Sequence, residues 1–361
     1  MLNTPVRKRG DVGPALKQFP YVNGGLFAEK LSRIPPGSMG LRNALETCAM
    51  FDWAGISPEI FGSLFQAVLD DTERRALGAH YTSDTNIRRL IDPLFLDDLW
   101  AEFHAVRHDT KRLNAFRLKL GRLRFLDPAC GCGNFLVVTY RELRLLDLEV
   151  VKALQGIQYV TDTGLLANVR LEQFYGLEIK PVSALIAQVA LHLTEHQANR
   201  ALLHTFGVTI PTIPLEETPN IVAGNALQTD WESFAGSRNP GLRNLEGFVN
   251  LSPAEASFTY IIGNPPFIGS KIMDDAQREE IKTLFGNTPG SGTLDYVSGW
   301  YIKAARYLDR HPETKAAFVS TNSITQGEQV GVLWSWMMAQ GIRIRFAHRT
   351  FQWTNDAPGK A

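Results

Sequence analysis

The sequence predicts an α/β fold: a mostly parallel sheet with helices on both faces, preceded by a helical segment. Three observations carry this expectation. From residue 124 onward, short apolar runs alternate with longer stretches of helical periodicity, as in a parallel sheet wrapped by crossover helices. The first of those runs, Arg124-Phe-Leu-Asp127, passes through a glycine-containing turn directly into a helical pattern. With 361 residues, 44% of them hydrophobic and 20% charged, the chain can also bury a substantial core.

Residues 1–40 are rich in turn signals, among them Asn23-Gly24-Gly25 and Pro35-Pro36-Gly37. Helices are expected over Leu41–Trp53 and Ile56–Leu69, the second with Ser57 as N-cap and Pro58 at its first turn. A further helical stretch covers Asp84–His104, bent at Pro93. Arg107–Arg124 holds seven Lys or Arg against one Asp and reads as a helix with a solvated basic face. Strands are expected at Arg124–Asp127, Phe174–Glu178, Asn220–Gly224, Phe258–Gly263, Lys315–Ser320 and Ile342–Ala347. Helices are expected at Phe135–Leu154, Val182–Leu203, Ala276–Phe285, Tyr296–Asp309 and Gln329–Gln340, with a long polar loop over Trp231–Ala254.

Composition excludes several classes. No apolar run reaches the ~18 residues of a membrane span, and polar Met1–Pro14 does not read as a signal peptide. Cys48, Cys130 and Cys132 are too few for a disulfide framework, so a cytoplasmic location is expected. The formal net charge of zero means that any nucleic-acid-binding surface must be local or lie elsewhere.

The densest chemistry sits at Tyr260-Ile-Ile-Gly-Asn-Pro-Pro-Phe-Ile268. An apolar strand ends at Gly263, and two prolines stiffen the adjoining loop by fixing φ and disfavouring helix at the residue before them. Asn264 then offers a side-chain carbonyl, Pro265 a backbone carbonyl and Phe267 a flat face. Two acceptors beside an aromatic plate suit a planar ring with an exocyclic NH2, such as a nucleobase; a rigid turn over a buried Phe is the competing reading.

The second cluster is Phe125-Leu-Asp-Pro-Ala-Cys-Gly-Cys-Gly-Asn-Phe-Leu136. Gly131 and Gly133 let the backbone approach a ligand, and the helix start near Asn134 exposes N–H groups. Cys130 and Cys132 lack a second pair, so no metal is expected. A nicotinamide dinucleotide site is disfavoured because Leu136 replaces the third glycine of the fingerprint. The next strand-end acid, Glu178, also lies 45 residues past Gly133, against ~20 in that motif. Glu178 ends its strand where a carboxylate can accept from ribose hydroxyls, and Asn225 in Gly224-Asn-Ala-Leu227 is either an adenine contact or a turn residue.

In their order along the chain, these features resemble the class I S-adenosyl-L-methionine-dependent methyltransferases, a Rossmann-like fold. More narrowly they are similar to γ-type DNA amino-methyltransferases of the N6-adenine kind, and to the methyltransferase part of single-chain type II restriction–modification enzymes. The residues that carry the likeness are His80-Tyr-Thr82, Asp127–Phe135, Glu178, Asn225-Ala226, Asn264–Phe267 and Phe351 with Trp353. Phe19–Phe27 and Thr321–Glu328 add the restriction–modification flavour. The resemblance implies that Tyr81 and Thr82 contact the methionine part of the cofactor. It places Asp127, Pro128, Ala129, Gly131 and Gly133 in the cofactor loop and Glu178 on the ribose. Asn225, with Ala226, would face the adenine of the cofactor at a position where the family often has Asp.

By the same resemblance, Asn264, Pro265, Pro266 and Phe267 form the catalytic loop. Phe267 stacks on the target base, and Phe351 or Trp353 supplies the opposite wall. The implied partner is double-stranded DNA, held mainly through a recognition domain outside this sequence. The implied division is an N-terminal helical segment over 1–105 and a catalytic domain over 106–361, cut before its last strand. Methyl transfer to RNA or to protein glutamine, and a non-catalytic module of the same fold, are the alternatives.

Overall fold

The computed structural model describes residues 39–51, 56, 82–155, 168–207, 219–236, 257–286 and 288–351. Five strands form one all-parallel sheet: β1 (Phe125–Asp127), β2 (Phe174–Glu178), β3 (Asn220–Ala223), β4 (Tyr260–Gly263) and β5 (Lys315–Phe318). Their order is β3-β2-β1-β4-β5, so β1 pairs with β2 on one side and β4 on the other. The fold is thus the expected Rossmann-like α/β arrangement.

Because successive strand side chains point to opposite faces, the sheet feeds two cores. Phe125, Phe174, Tyr260 and Ile262 pack on one face against helices α2 (Asp84–Ile91), α3 (Asp97–Val106), α4 (Thr110–Arg122), α5 (Asn134–Gln155) and α6 (Pro181–Phe206). Helix α1 (Met39–Met50) precedes them. Leu126, Tyr175, Leu177 and Ile261 pack on the other face against α7 (Trp231–Gly236), α8 (Asp275–Phe285) and α9 (Ser298–Arg310). The described helices close with α10 (Gly327–Gln329), a π-helical turn over Val330–Trp334 and α11 (Ser335–Ala339).

Local sequence explains most element starts. Asp109 caps α4 by accepting from the Arg112 N–H at 3.0 Å, and Leu113, Phe116 and Leu120 turn inward while Lys111, Arg112 and Lys119 stay exposed. Asp274 and Gln277 form a capping box at the start of α8. Gly207, in the left-handed region at φ 69°, ends α6. At Pro93 the helix does not break. The segment Asp92–Leu96 widens into a π turn closed by the Asp97 N–H on the Asp92 carbonyl, which accommodates a residue with no N–H to give.

Two expectations change, and a third is untested. The loop expected from Trp231 begins instead with α7, because Asp230 accepts from the N–H groups of Glu232 and Ser233 and Trp231, Phe234 and Ala235 are buried together. Ile342–Ala347 forms no strand ladder. Only Ile342 and Phe346 are half-buried, four residues apart, and no neighbouring strand reaches them among the described residues. The helix expected over Ile56–Leu69 lies outside the described residues beyond Ile56. Among the described residues no helix is long and apolar enough to cross a membrane.

Aromatic rings knit the first core. Phe125 stacks on Phe174 with centroids 5.1 Å apart, and lies 5.3 Å from Phe95 and 5.4 Å from Tyr260. Truncating Phe125 to Ala leaves a void at the centre of the sheet, and urea unfolding should show a loss of about 3–5 kcal/mol.

Candidate functional site

Strand order reverses at β1, so the connections after β1 and β4 leave in different directions and open a crevice at their carboxyl ends. The turn after β1 is held from both sides. The Asp127 carboxylate accepts from the Ala129 N–H at 3.0 Å, and the Cys130 N–H donates to the Leu177 carbonyl at 3.1 Å. Gly131 and Gly133 have φ of 54° and 88°, and a Cβ on Gly133 would stand 2.9 Å from that of Ala187 on α6. The Gly133 carbonyl then accepts from Val137 to open α5.

Glu178 closes over this turn from the end of β2. Its carboxylate accepts from the Gly131 N–H at 3.0 Å and the Lys180 N–H at 2.9 Å, yet burial still raises its pKa. Asp127 is 1% exposed, and burial pushes it up to about 8, with the nearby Glu178 charge adding. One Asp127 oxygen has no partner among the described residues. Burial pushes both thiols of the turn upward, with Glu178 adding at each and Asp127 at Cys130 as well: Cys132 to about 12, and Cys130 well above its ordinary value. The carbonyl of buried Pro128 accepts from the Trp300 indole at 3.0 Å, and half-buried Ala129 packs on the second core.

The loop after β4 stands against this turn. Gly263 is required there because a Cβ would lie 2.6 Å from the Asp127 carboxylate. Asn264 comes next, half-buried, and its Nδ2 donates to the Thr82 hydroxyl at 3.1 Å. Its Oδ1 is buried with no hydrogen-bond partner among the described residues. Pro265 is buried and Pro266 half-buried, while Phe267, like Ala129, packs on the second core. Thr82 is 4% exposed, and its carbonyl receives the Asn134 amide at a long 3.5 Å. Thr82, Asn134 and Asn264 thereby join three segments far apart in sequence.

Asn225 and Ala226 form the third wall after β3. The Asn225 oxygen accepts from the Leu227 N–H at 2.9 Å, making the turn the sequence allowed, and its Nδ2 donates to Glu280 at 2.6 Å. Buried Ala226 offers its carbonyl to the Trp231 indole. Glu280 also accepts from Gln228 and from the Tyr296 hydroxyl, while the Tyr296 N–H donates to the Ile268 carbonyl. Glu280 thus couples the β3 loop to the loop that carries Phe267.

Sequence reasoning missed that role, since Glu280 sits in an acidic helix with nothing to mark it. It also missed Asp295, a loop acid just before α9; that carboxylate accepts from the Ser270 N–H at 3.1 Å and the Ser323 hydroxyl at 2.6 Å. Of the expected aromatic walls, Phe351 is exposed with the Arg89 guanidinium 4.4 Å from its ring centre. Tyr81 and Trp353 lie outside the described residues.

A family model described as the MmeI DNA-methyltransferase domain matches residues 103–361. The chain is 37% identical over 358 residues to DNA methyltransferase A of Bacillus subtilis, covering 98% of this chain and 38% of that protein. Among solved structures, the type IIL restriction–modification enzyme MmeI in complex with DNA superposes with a TM-score of 0.86. It shares 48% identity, over 99% of this chain and 46% of that one. A putative type II restriction enzyme and methyltransferase of Methanocaldococcus jannaschii is 24% identical over 240 residues, 54% of this chain and 20% of that protein. The chain therefore spans less than half the length of these relatives.

The raised pKa of Asp127 has a stability consequence. The folded state holds the Asp127 proton up to about pH 8, whereas an unfolded aspartate releases it near ~4, so stability from this group is complete below ~4 and lost as pH rises to about 8. Asp127→Asn keeps an acceptor for Ala129 without the titration. Urea unfolding at several pH values should show the wild type losing stability relative to the variant between about pH 5 and 8; parallel curves would contradict this.

Proposed function

The chain belongs to the family of MmeI DNA-methyltransferase domains, and from that premise we propose that it transfers a methyl group from S-adenosyl-L-methionine to the N6 amino group of a flipped adenine in DNA. It does so as the methyltransferase part of a restriction–modification protein. The observation that carries the reading is the buried, unpartnered Oδ1 of Asn264, standing on a proline-stiffened loop against the glycine turn.

The residues present fit the cofactor. Gly131 leaves open space beside the turn after β1, where a Cβ would meet nothing within 4 Å, while Gly133 lets that turn pack on Ala187 of α6; both carboxylate oxygens of Glu178 retain lone pairs for ribose hydroxyls beyond the N–H groups they already accept. The second lone pair of the Asn225 oxygen remains for an adenine amino group, with the amide held by Glu280. Thr82 and Tyr81 are assigned to the methionine end. When bound, the cofactor supplies a methyl group already activated on a sulfonium.

The rest of the chemistry belongs to the chain. An adenine amino nitrogen is a poor nucleophile because its lone pair is delocalised into the ring. Asn264 Oδ1 and the Pro265 carbonyl accept its two hydrogens, raising electron density at nitrogen and favouring tetrahedral geometry as the new bond forms. Pro265 and Pro266 keep both acceptors fixed, so little reorganisation is needed at the moment of reaction. Phe267 gives the extruded base a surface to stack on, with Phe351 or Trp353 opposite, which offsets part of the unstacking cost. The supporting contacts from Trp300, Asp295 and Glu280 hold these loops at the crevice.

Mass spectrometry of DNA treated with the full-length protein and labelled cofactor tests the reading. N6-methyladenine is the expected product, and Asn264→Ala should reduce the rate by about 10²–10³-fold, the usual cost of deleting one preorganised polar group. N4-methylcytosine, or label in RNA or protein alone, would refute it.

A further inference from the structure

Two contacts fix the Asn225 side chain, and each has an unambiguous donor. Its Oδ1 accepts from the Leu227 backbone N–H at 2.9 Å, and its Nδ2 donates to the Glu280 carboxylate at 2.6 Å. A backbone N–H cannot accept and an ionised carboxylate cannot donate, so the amide has one orientation and an oxygen lone pair to spare. Among the described residues Glu280 is met by neutral donors only: Asn225, the Gln228 amide at 2.7 Å and the Tyr296 hydroxyl. No Lys or Arg pairs with it there, whereas neighbouring Glu279 faces Lys282 at 3.5 Å. The charge of Glu280 therefore acts on the groups that donate to it.

The loop after β3 has other supports for its shape. The Asn225 carbonyl accepts from the N–H groups of Gln228 and Thr229 at 3.2 Å and 2.9 Å. The Lys303 ammonium donates to the Leu227 carbonyl at 3.1 Å, and the Trp231 indole to the Ala226 carbonyl at 3.0 Å. What Glu280 adds is electrostatic. A carboxylate on the N–H end of an amide pushes electron density toward its oxygen, which becomes the stronger acceptor.

From this geometry we infer that Glu280 is a specificity-determining residue for the cofactor. Standing behind Asn225, its charge strengthens the Asn225 oxygen toward an exocyclic amine and so selects adenine over a purine that lacks the amino group. The inference rests on the reading that Asn225 meets the adenine of the cofactor, and it adds the source of the selection.

Calorimetry on the full-length protein provides the test. It compares S-adenosyl-L-homocysteine with the analogue in which hydrogen replaces the amino group of the purine. The wild type should bind the amino form at least about tenfold tighter. Glu280→Gln keeps an oxygen for Asn225 but removes the charge. It should narrow that ratio at least about threefold, whatever change the two affinities share. Joining Asn225→Asp to Glu280→Gln moves the anion to position 225 with an amide behind it to donate, and the ratio should return to the wild-type value or exceed it.

A ratio unchanged in Glu280→Gln overturns the inference, even if both affinities fall together, which is the mark of a loop that has merely loosened. If Glu280→Gln does not fold, the double variant decides, and a ratio near one overturns the inference. A wild type that binds both ligands alike overturns the underlying reading of Asn225 instead, before any variant is compared.

Discussion

The molecule depends on β1 being paired on both sides in parallel, to β2 in one direction and β4 in the other. A parallel strand in the middle of a sheet has no free edge, so its register is set twice and its carboxyl end is fixed in space. The loops after β1, β2 and β4 emerge side by side because the three strands run the same way. The role of each loop is then decided by the strand it leaves. The acid of β2 falls over the glycine turn of β1, and the polar loop of β4 stands against that turn from the other side. The aromatic core beneath, with Phe125 between Phe174 and Tyr260, keeps the strand ends from drifting apart.

A buried acid beside a half-buried one is costly, and the structure shows how the cost is met. Glu178 is offset by two backbone N–H groups, a pattern that favours its charged form against burial. Asp127 has one such bond and shares its surroundings with Glu178, so it is the one that gives up its charge. Trp300, Glu280 and Asp295 do for the loops what these N–H groups do for the acids. Each fills a polar valence that a buried turn would otherwise leave open.

Much of the fold was legible because its signals are local. Alternating apolar runs and helical periods located the five strands and the helices α2 to α6, α8 and α9 within a few residues. The order of motifs likewise singled out Asp127, Glu178 and Asn264, which the structure gathers at one crevice. The features that escaped are tertiary or compete with a local cue. Helix α7 is short and hides its periodicity among polar residues, while Ile342–Ala347 has strand composition without a described neighbour to pair with. At Pro93 the sequence marks an irregularity in the helix but not its form, a wider π turn over Asp92–Leu96. Glu280 looks like any acid in an exposed helix until α8 brings it to Asn225 and Tyr296. No local pattern could announce that Thr82 meets Asn264, since each reads correctly as part of its own motif.

Cys130 and Cys132 sit in a turn suited to an alkylating ligand, where a thiolate would be a stronger nucleophile than any base amine. The burial and neighbouring acids that push these thiols upward keep them protonated at neutral pH. Thiols so placed stay in the unreactive form, whatever ligand the turn holds.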